Sequence, residues 1–183
     1  MKLNSGTLLT GLLGVALAAT AAPLKTDPAK SSVSAVFKQM NVPVESAFKK
    51  FAAQIDYDAA KPELARASVE IDTASLDVGD PDMNKEVAKK DWFNSAQFPK
   101  ATFVSSSIKP AGAGKLTVAG KLSIKGKSMD VSFPLAVKTE AGKQVFEGAL
   151  PIKRLSYGVG EGEWKDTSMV ADEVVIKFRI TAG

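Results

Sequence analysis

From Ser31 onward, hydrophobic residues recur at every second position in short runs broken by Gly, Pro, Asp and Lys, the pattern of half-buried strands. Val33, Ala35 and Phe37 share one face, and Phe51, Ala53, Ile55 and Tyr57 share another. Val69 and Ile71 follow, with Glu70 and Asp72 opposite; then come Leu116 and Val118, and Leu122 and Ile124. Met129, Val131, Phe133, Leu135 and Val137 alternate with polar Asp130 and Ser132, and Val174, Ile176, Phe178 and Ile180 oppose Lys177 and Arg179. Turn chemistry separates the runs at 58–62, 112–114, 125–127, 141–143 and 158–162. Connections this short predict antiparallel neighbours, because a parallel crossover takes roughly a dozen residues or more. A sheet closed on itself hides its edges, so the pattern predicts an all-β fold, an up-and-down barrel of roughly eight antiparallel strands, ahead of a sandwich.

One segment departs from the alternation. Residues 82–90 are helix formers with Met83 and Val87 at i and i+4, which predicts one or two helical turns across one barrel end, either as a plug of the core or as a lid over an entrance. Inward positions mix small residues (Ala35, Ala47, Ala53, Ala101, Gly148) with large ones (Phe37, Phe48, Phe51, Phe103). A barrel of this size is either filled by its own side chains or just wide enough for one small ligand. An empty apolar cavity costs stability, so a persistent one points to an apolar ligand.

The first residues read as an export signal: Lys2 before a short apolar run from Leu8 to Ala18, then Ala19-Thr20-Ala21 as a cleavage site. The run is too short for a span of ~20 apolar residues, so residues 1–21 are expected to be removed and 22–183 to form one barrel domain without stable membrane insertion.

Composition then removes chemistry. The 183 residues contain no Cys and no His, which excludes disulfides, thiolate catalysis, Cys- or His-ligated metal and a Ser-His-Asp triad. A net charge of +4 is far from a nucleic-acid footprint, and Lys100, Lys109, Lys115, Lys121, Lys125 and Lys127 are spaced like the wet face of strands. Asp77, Asp80 and Asp82 read as a polar turn and helix cap rather than a cation site. Glu161, Glu163 and Asp166 around Trp164 lack the aromatic platform of a sugar site, and the glycines at 158, 160 and 162 read as a flexible hairpin connection rather than a phosphate cradle. No catalytic residue, metal ligand or cofactor site is assigned.

Several stretches together resemble the YceI family: VEIDTASL at 69–76, DWFNSAQFPKATFVS at 91–105, VAGKLSIKG at 118–126, IKRLSYGV at 152–159 and the closing Asp172-Glu173-Val174. The resemblance implies an eight-stranded lipocalin-like barrel, usually periplasmic, that binds a long polyisoprenoid or similar alkyl chain without catalysis. A bound isoprenoid or quinone lipid would then be the partner, and a homodimer is left open. Residues 40–44 and 84–87 hold none of the histidines that family members carry nearby, so no histidine contact to a headgroup is expected. Under this resemblance the tunnel lining is expected from Phe37, Phe48, Phe51, Ile55, Ile71, Val87, Trp92, Phe93 and Phe103, with Tyr57 and Arg154 as headgroup or rim contacts. At ~0.3 kcal/mol per heavy atom, a tail of about twenty atoms contributes ~6 kcal/mol, so tail length would set affinity. The competing expectation is a structural or stress-related interaction module with a solidly packed barrel.

Overall fold

The computed structural model describes residues 23–183, so the expected export segment lies outside the described residues. Eleven strands follow in order: β1 (Pro23–Leu24), β2 (Ser32–Gln39), β3 (Val42–Phe48), β4 (Phe51–Asp56), β5 (Arg66–Asp72), β6 (Leu76–Asp77), β7 (Lys100–Pro110), β8 (Lys115–Ile124), β9 (Lys127–Glu140), β10 (Lys143–Lys153) and β11 (Val170–Ala182). Helix α1 (Pro81–Val87) lies between β6 and β7. All strands belong to one antiparallel sheet ordered β1-β4-β5-β7-β8-β9-β10-β11-β2-β3-β6, which curls so that inward residues of most strands face a common interior.

The strand count and the closure differ from expectation. Eleven strands replace eight, two of them only two residues long. The ladder also stays open between β3 and β4, which are consecutive in sequence yet turn apart: β3 pairs with β2 and β6, and β4 with β5 and β1. At that corner a few bonds tie the chain instead, with the Lys49 amide donating to the Ser75 carbonyl and the Asp72 amide to the Lys50 carbonyl. Two-residue edge strands thus take the place of full closure.

Alternation carries most of the ladder. Along β8, Leu116, Val118, Leu122 and Ile124 are buried while Lys115, Thr117 and Lys121 are exposed. Two-residue turns with positive φ at both positions connect β2 to β3 through Met40-Asn41 and β8 to β9 through Lys125-Gly126, the backbone twist that tight hairpins favour. On the outer face Arg179 pairs with Glu140 and Glu147, Lys138 with Glu147 and Lys121 with Asp130; such exposed pairs contribute ~0–1 kcal/mol each.

The acidic turn before α1 is capping geometry. Asp80 Oδ1 accepts from the amides of Asp82 and Met83, and Asp77 Oδ1 accepts from the Gly79 amide and from Asn84 Nδ2. The helix so fixed turns Met83 and Val87 toward the sheet interior.

Candidate ligand-binding interior

The interior divides into two chambers that meet at Ile71, Leu122 and Ile176. The first, of about 100 Å³, is walled by strands: Ile55 of β4, Val69 of β5, Phe103 of β7, Phe133 of β9, Phe146 of β10 and Phe178 of β11 all face it. Its surface is wholly apolar. Phe103, Phe133 and Phe178 form a row with ring centroids 5.5 and 5.6 Å apart, and Tyr57 meets Phe146 edge-on at 5.3 Å. Glycines make the row possible. A Cβ at Gly148 would lie 2.4 Å from the Phe178 ring, and one at Gly120 would lie 2.6 Å from the Phe103 ring, so each ring occupies the space a side chain would fill.

The second chamber, of about 220 Å³, has α1 and irregular chain for its floor. Phe48 packs edge-on against Phe93 at 6.2 Å, and Trp92 tilts against Trp164 at 5.2 Å. At its wall sits Arg154, only 3% exposed, with its guanidinium 5.6 Å from the Trp92 ring centre. Nε donates to the Ala171 carbonyl at 3.1 Å, Nη1 to Val159 and Gly160 at 2.9 and 3.0 Å, and Nη2 to Trp164 and Val170 at 2.7 and 2.8 Å. Those five bonds use all five N–H donors of the fork. Burial pulls the Arg154 pKa down, yet guanidinium stays charged at any ordinary pH.

Two polar atoms near this chamber are buried without partners among the described residues: Trp92 Nε1 and Ser46 Oγ. Ser46 lies between Val44 and Phe48 of β3, both of which line the chamber. Tyr57, at the first chamber, and Tyr157, at the second, have hydroxyl pKa values raised by burial, so both are neutral near pH 7.

Of the residues singled out in the sequence, Ile55, Tyr57, Ile71 and Phe103 line the first chamber. Phe37, Phe48, Val87, Trp92, Phe93 and Arg154 line the second, which Ile71 also borders. Phe51 lines neither and packs against the core from β4. Arg154, expected as a headgroup or rim contact, borders the second chamber with its five donors on backbone carbonyls, and Val159 and Gly160 of the segment expected as a flexible hairpin connection are two of the acceptors. A Cβ at Gly160, where φ is +81°, would fall 2.0 Å from Nη1. Lys125 likewise leaves the solvated face assigned to it, since its side chain is 8% exposed and Nζ donates to the Gly158 carbonyl and Glu161. The same lysine holds the Glu161 carboxyl below its usual range. Sequence reasoning missed Phe133, Phe178, Tyr157 and Trp164 as lining, although the alternation around Phe133 and Phe178 already placed both on inward faces.

Comparison with known proteins places this architecture. The YceI-like domain profile matches residues 24–182. A UPF0312 protein of Shewanella putrefaciens is 35% identical over 141 residues, covering 73% of this chain and 72% of that protein. The crystal structure of Burkholderia cenocepacia BcnA superposes with a TM-score of 0.85 at 56% identity, over 87% of this chain and 100% of that one. A domain from Saccharophagus degradans, described as polyisoprenoid binding and implicated in plant cell wall breakdown, shares the fold with a TM-score of 0.68 at 17% identity, over 88% of this chain and 98% of that one.

Proposed function

The chain belongs to the YceI-like domain family, and from that premise and its carbon-lined interior we propose that it binds an isoprenoid or other amphipathic lipid, a quinone included, and carries it in the periplasm. The observation that carries this reading is the pair of contiguous apolar chambers. An apolar space of about 220 Å³ leaves its lining side chains short of packing partners, which costs stability when nothing fills it. An occupant that replaces the missing contacts removes that cost, whereas a solidly packed interaction module would have no such space. The described ligand of the Saccharophagus degradans domain motivates the isoprenoid class. The export-type sequence at residues 1–21 supports the periplasm, and a binding role, rather than an enzymatic one, suits an interior whose one buried guanidinium is committed to backbone carbonyls.

Native mass spectrometry of protein purified from its own host tests the proposal. The expected result is a mass excess that organic extraction removes and that added prenyl alcohol or quinone restores. A spectrum free of ligand, with no uptake of either lipid, would overturn it.

A further inference from the structure

Besides the open corner between β3 and β4, the sheet wall parts between β5 and β7. β5 and β7 pair from Asp72 opposite Lys100 as far as Ser68 opposite Val104, and the ladder stops there. Beyond it Arg66 and Ala67 keep their partners Asp56 and Ile55 on β4, but on the β7 side the Ala67 amide donates to a side chain, Ser105 Oγ, at 2.9 Å. β7 slips register against β8 between Ser105 and Ser107, the bulge that turns the strand away from β5. The single 3-10 turn Pro62–Leu64 packs against β7 beside this split.

On the outside a groove of about 870 Å³ follows the split, lined by Gln54, Asp56, Glu63, Ser68 and the serines 105–107. Inside lies the strand-walled chamber. Ala65, Arg66, Ala67 and Ile108 border both spaces, so two alanines and the flanks of two larger side chains are what separates them. Along the paired part of β5 and β7 opening the wall would break a run of backbone hydrogen bonds; at the split it breaks one side-chain bond and displaces a short turn. Asp56 and Glu63 against Arg66 leave the groove with an excess of negative charge, which disfavours a phosphorylated head, while its hydroxyls and amide suit an uncharged one.

Resting on the lipid-binding reading above, we infer that this split is a lateral portal: the lipid enters the strand-walled chamber tail first and leaves a neutral, hydroxyl- or carbonyl-bearing head in the serine-lined groove.

The chain has no cysteine, so Ala67→Cys with Ser105→Cys introduces a single redox-controlled staple across the portal. Wild type and the double variant are loaded with geranylgeraniol, and release into phosphatidylcholine vesicles is followed in time. Oxidation of the double variant should slow loading and release on the order of tenfold with the amount bound at equilibrium unchanged, and reduction should restore both rates. Ala65→Trp, which crowds the same opening without a disulfide, should slow them likewise. Unchanged rates in the stapled form, its bond verified by mass, or in Ala65→Trp if the staple does not form, overturn the portal; slowing by Val174→Trp at the far chamber alone does the same. Geranylgeranyl phosphate should bind on the order of tenfold more weakly than the alcohol, and Asp56→Asn with Glu63→Gln should narrow that gap. Equal affinity in wild type overturns the head assignment. A wild-type protein that takes up neither probe is a different result, because it removes the binding reading itself.

Discussion

The two chambers are built by opposite means. Strands wall the first, and the ladder satisfies their backbone, so nothing polar has to enter and the shape is set by rings seated over glycines. The second is closed partly by irregular chain, whose carbonyls find no ladder; a buried guanidinium collects five of them. The contrast teaches that an apolar pocket is simple to make from sheet and costly to make from loop, because every buried backbone acceptor must be paired before the carbon lining counts for anything.

Removing the clamp is the strongest way to break the comparison. Arg154→Met keeps an apolar stem but strands five acceptors, three of them in buried bonds worth ~1–3 kcal/mol each when unpaired, so even with water reaching the other two we expect a loss of about 4 kcal/mol in urea unfolding. Arg154→Lys should recover only part of it, since an ammonium offers three donors in place of a planar fork of five. Trp92 and Trp164 both lie at this chamber, so tryptophan fluorescence should change while the strand-walled chamber keeps its far-ultraviolet sheet signal. Equal stability of Arg154→Met and wild type would mean that the loop does not need its clamp.

The same contrast decides what was legible in the sequence. Strands β8 and β9 announce themselves because one face is wet and the other dry along most of their length, and β11 does so only through the shorter run 174–180. β7 is hidden: Ala101 is buried at odd parity, the bulge follows, and Ile108 is buried at even parity, while Ser105-Ser106-Ser107 reads as turn. β1 and β6 are two residues each, too short for any period to register, so the edges and the unclosed corner could not be read. The family stretches contain Trp92 and Phe93 of the second chamber but do not show the use of Arg154, because its acceptors lie 5 to 17 residues away and depend on loop geometry that no alternation encodes. Glycines at 158, 160 and 162 looked permissive, whereas at 160 the missing Cβ makes room for the guanidinium.

That last point gives a sharper, smaller test. Gly160 and Gly142 have nearly the same backbone, with φ of +81° and +78°, but a Cβ at Gly142 meets nothing within 4 Å. Alanine at 142 should therefore cost only the ~1 kcal/mol of a left-handed residue, and alanine at 160 should cost that plus the displacement of Arg154, ~2–3 kcal/mol in all. Similar losses at the two sites, measured by thermal and urea unfolding, would show that the loop yields without disturbing the clamp.

The smallest effect concerns two serines on neighbouring strands. Ser46, between the lining residues Val44 and Phe48 of β3, has a buried hydroxyl without a partner among the described residues, while Ser34, also buried, donates to Glu45 Oε1 at 2.7 Å. A buried hydroxyl without a partner costs more than it returns, so Ser46→Ala should stabilise the ligand-free protein by ~0.5–1 kcal/mol, and Ser34→Ala should destabilise it. The second change should also depend on pH. The hydrogen bond from Ser34, ahead of the Lys177 charge, lowers the Glu45 pKa in the folded protein. A carboxylate depressed in this way adds stability above its unfolded pKa and loses it as pH falls through the folded value. The penalty of Ser34→Ala should therefore be full at neutral pH and shrink below the ordinary carboxylate range, whereas the gain from Ser46→Ala, which involves no titrating partner, should stay level across the same interval. Parallel pH profiles for the two variants would show that the carboxylate is not what holds Ser34, and the difference between a satisfied and an orphaned hydroxyl would then have to lie in packing alone.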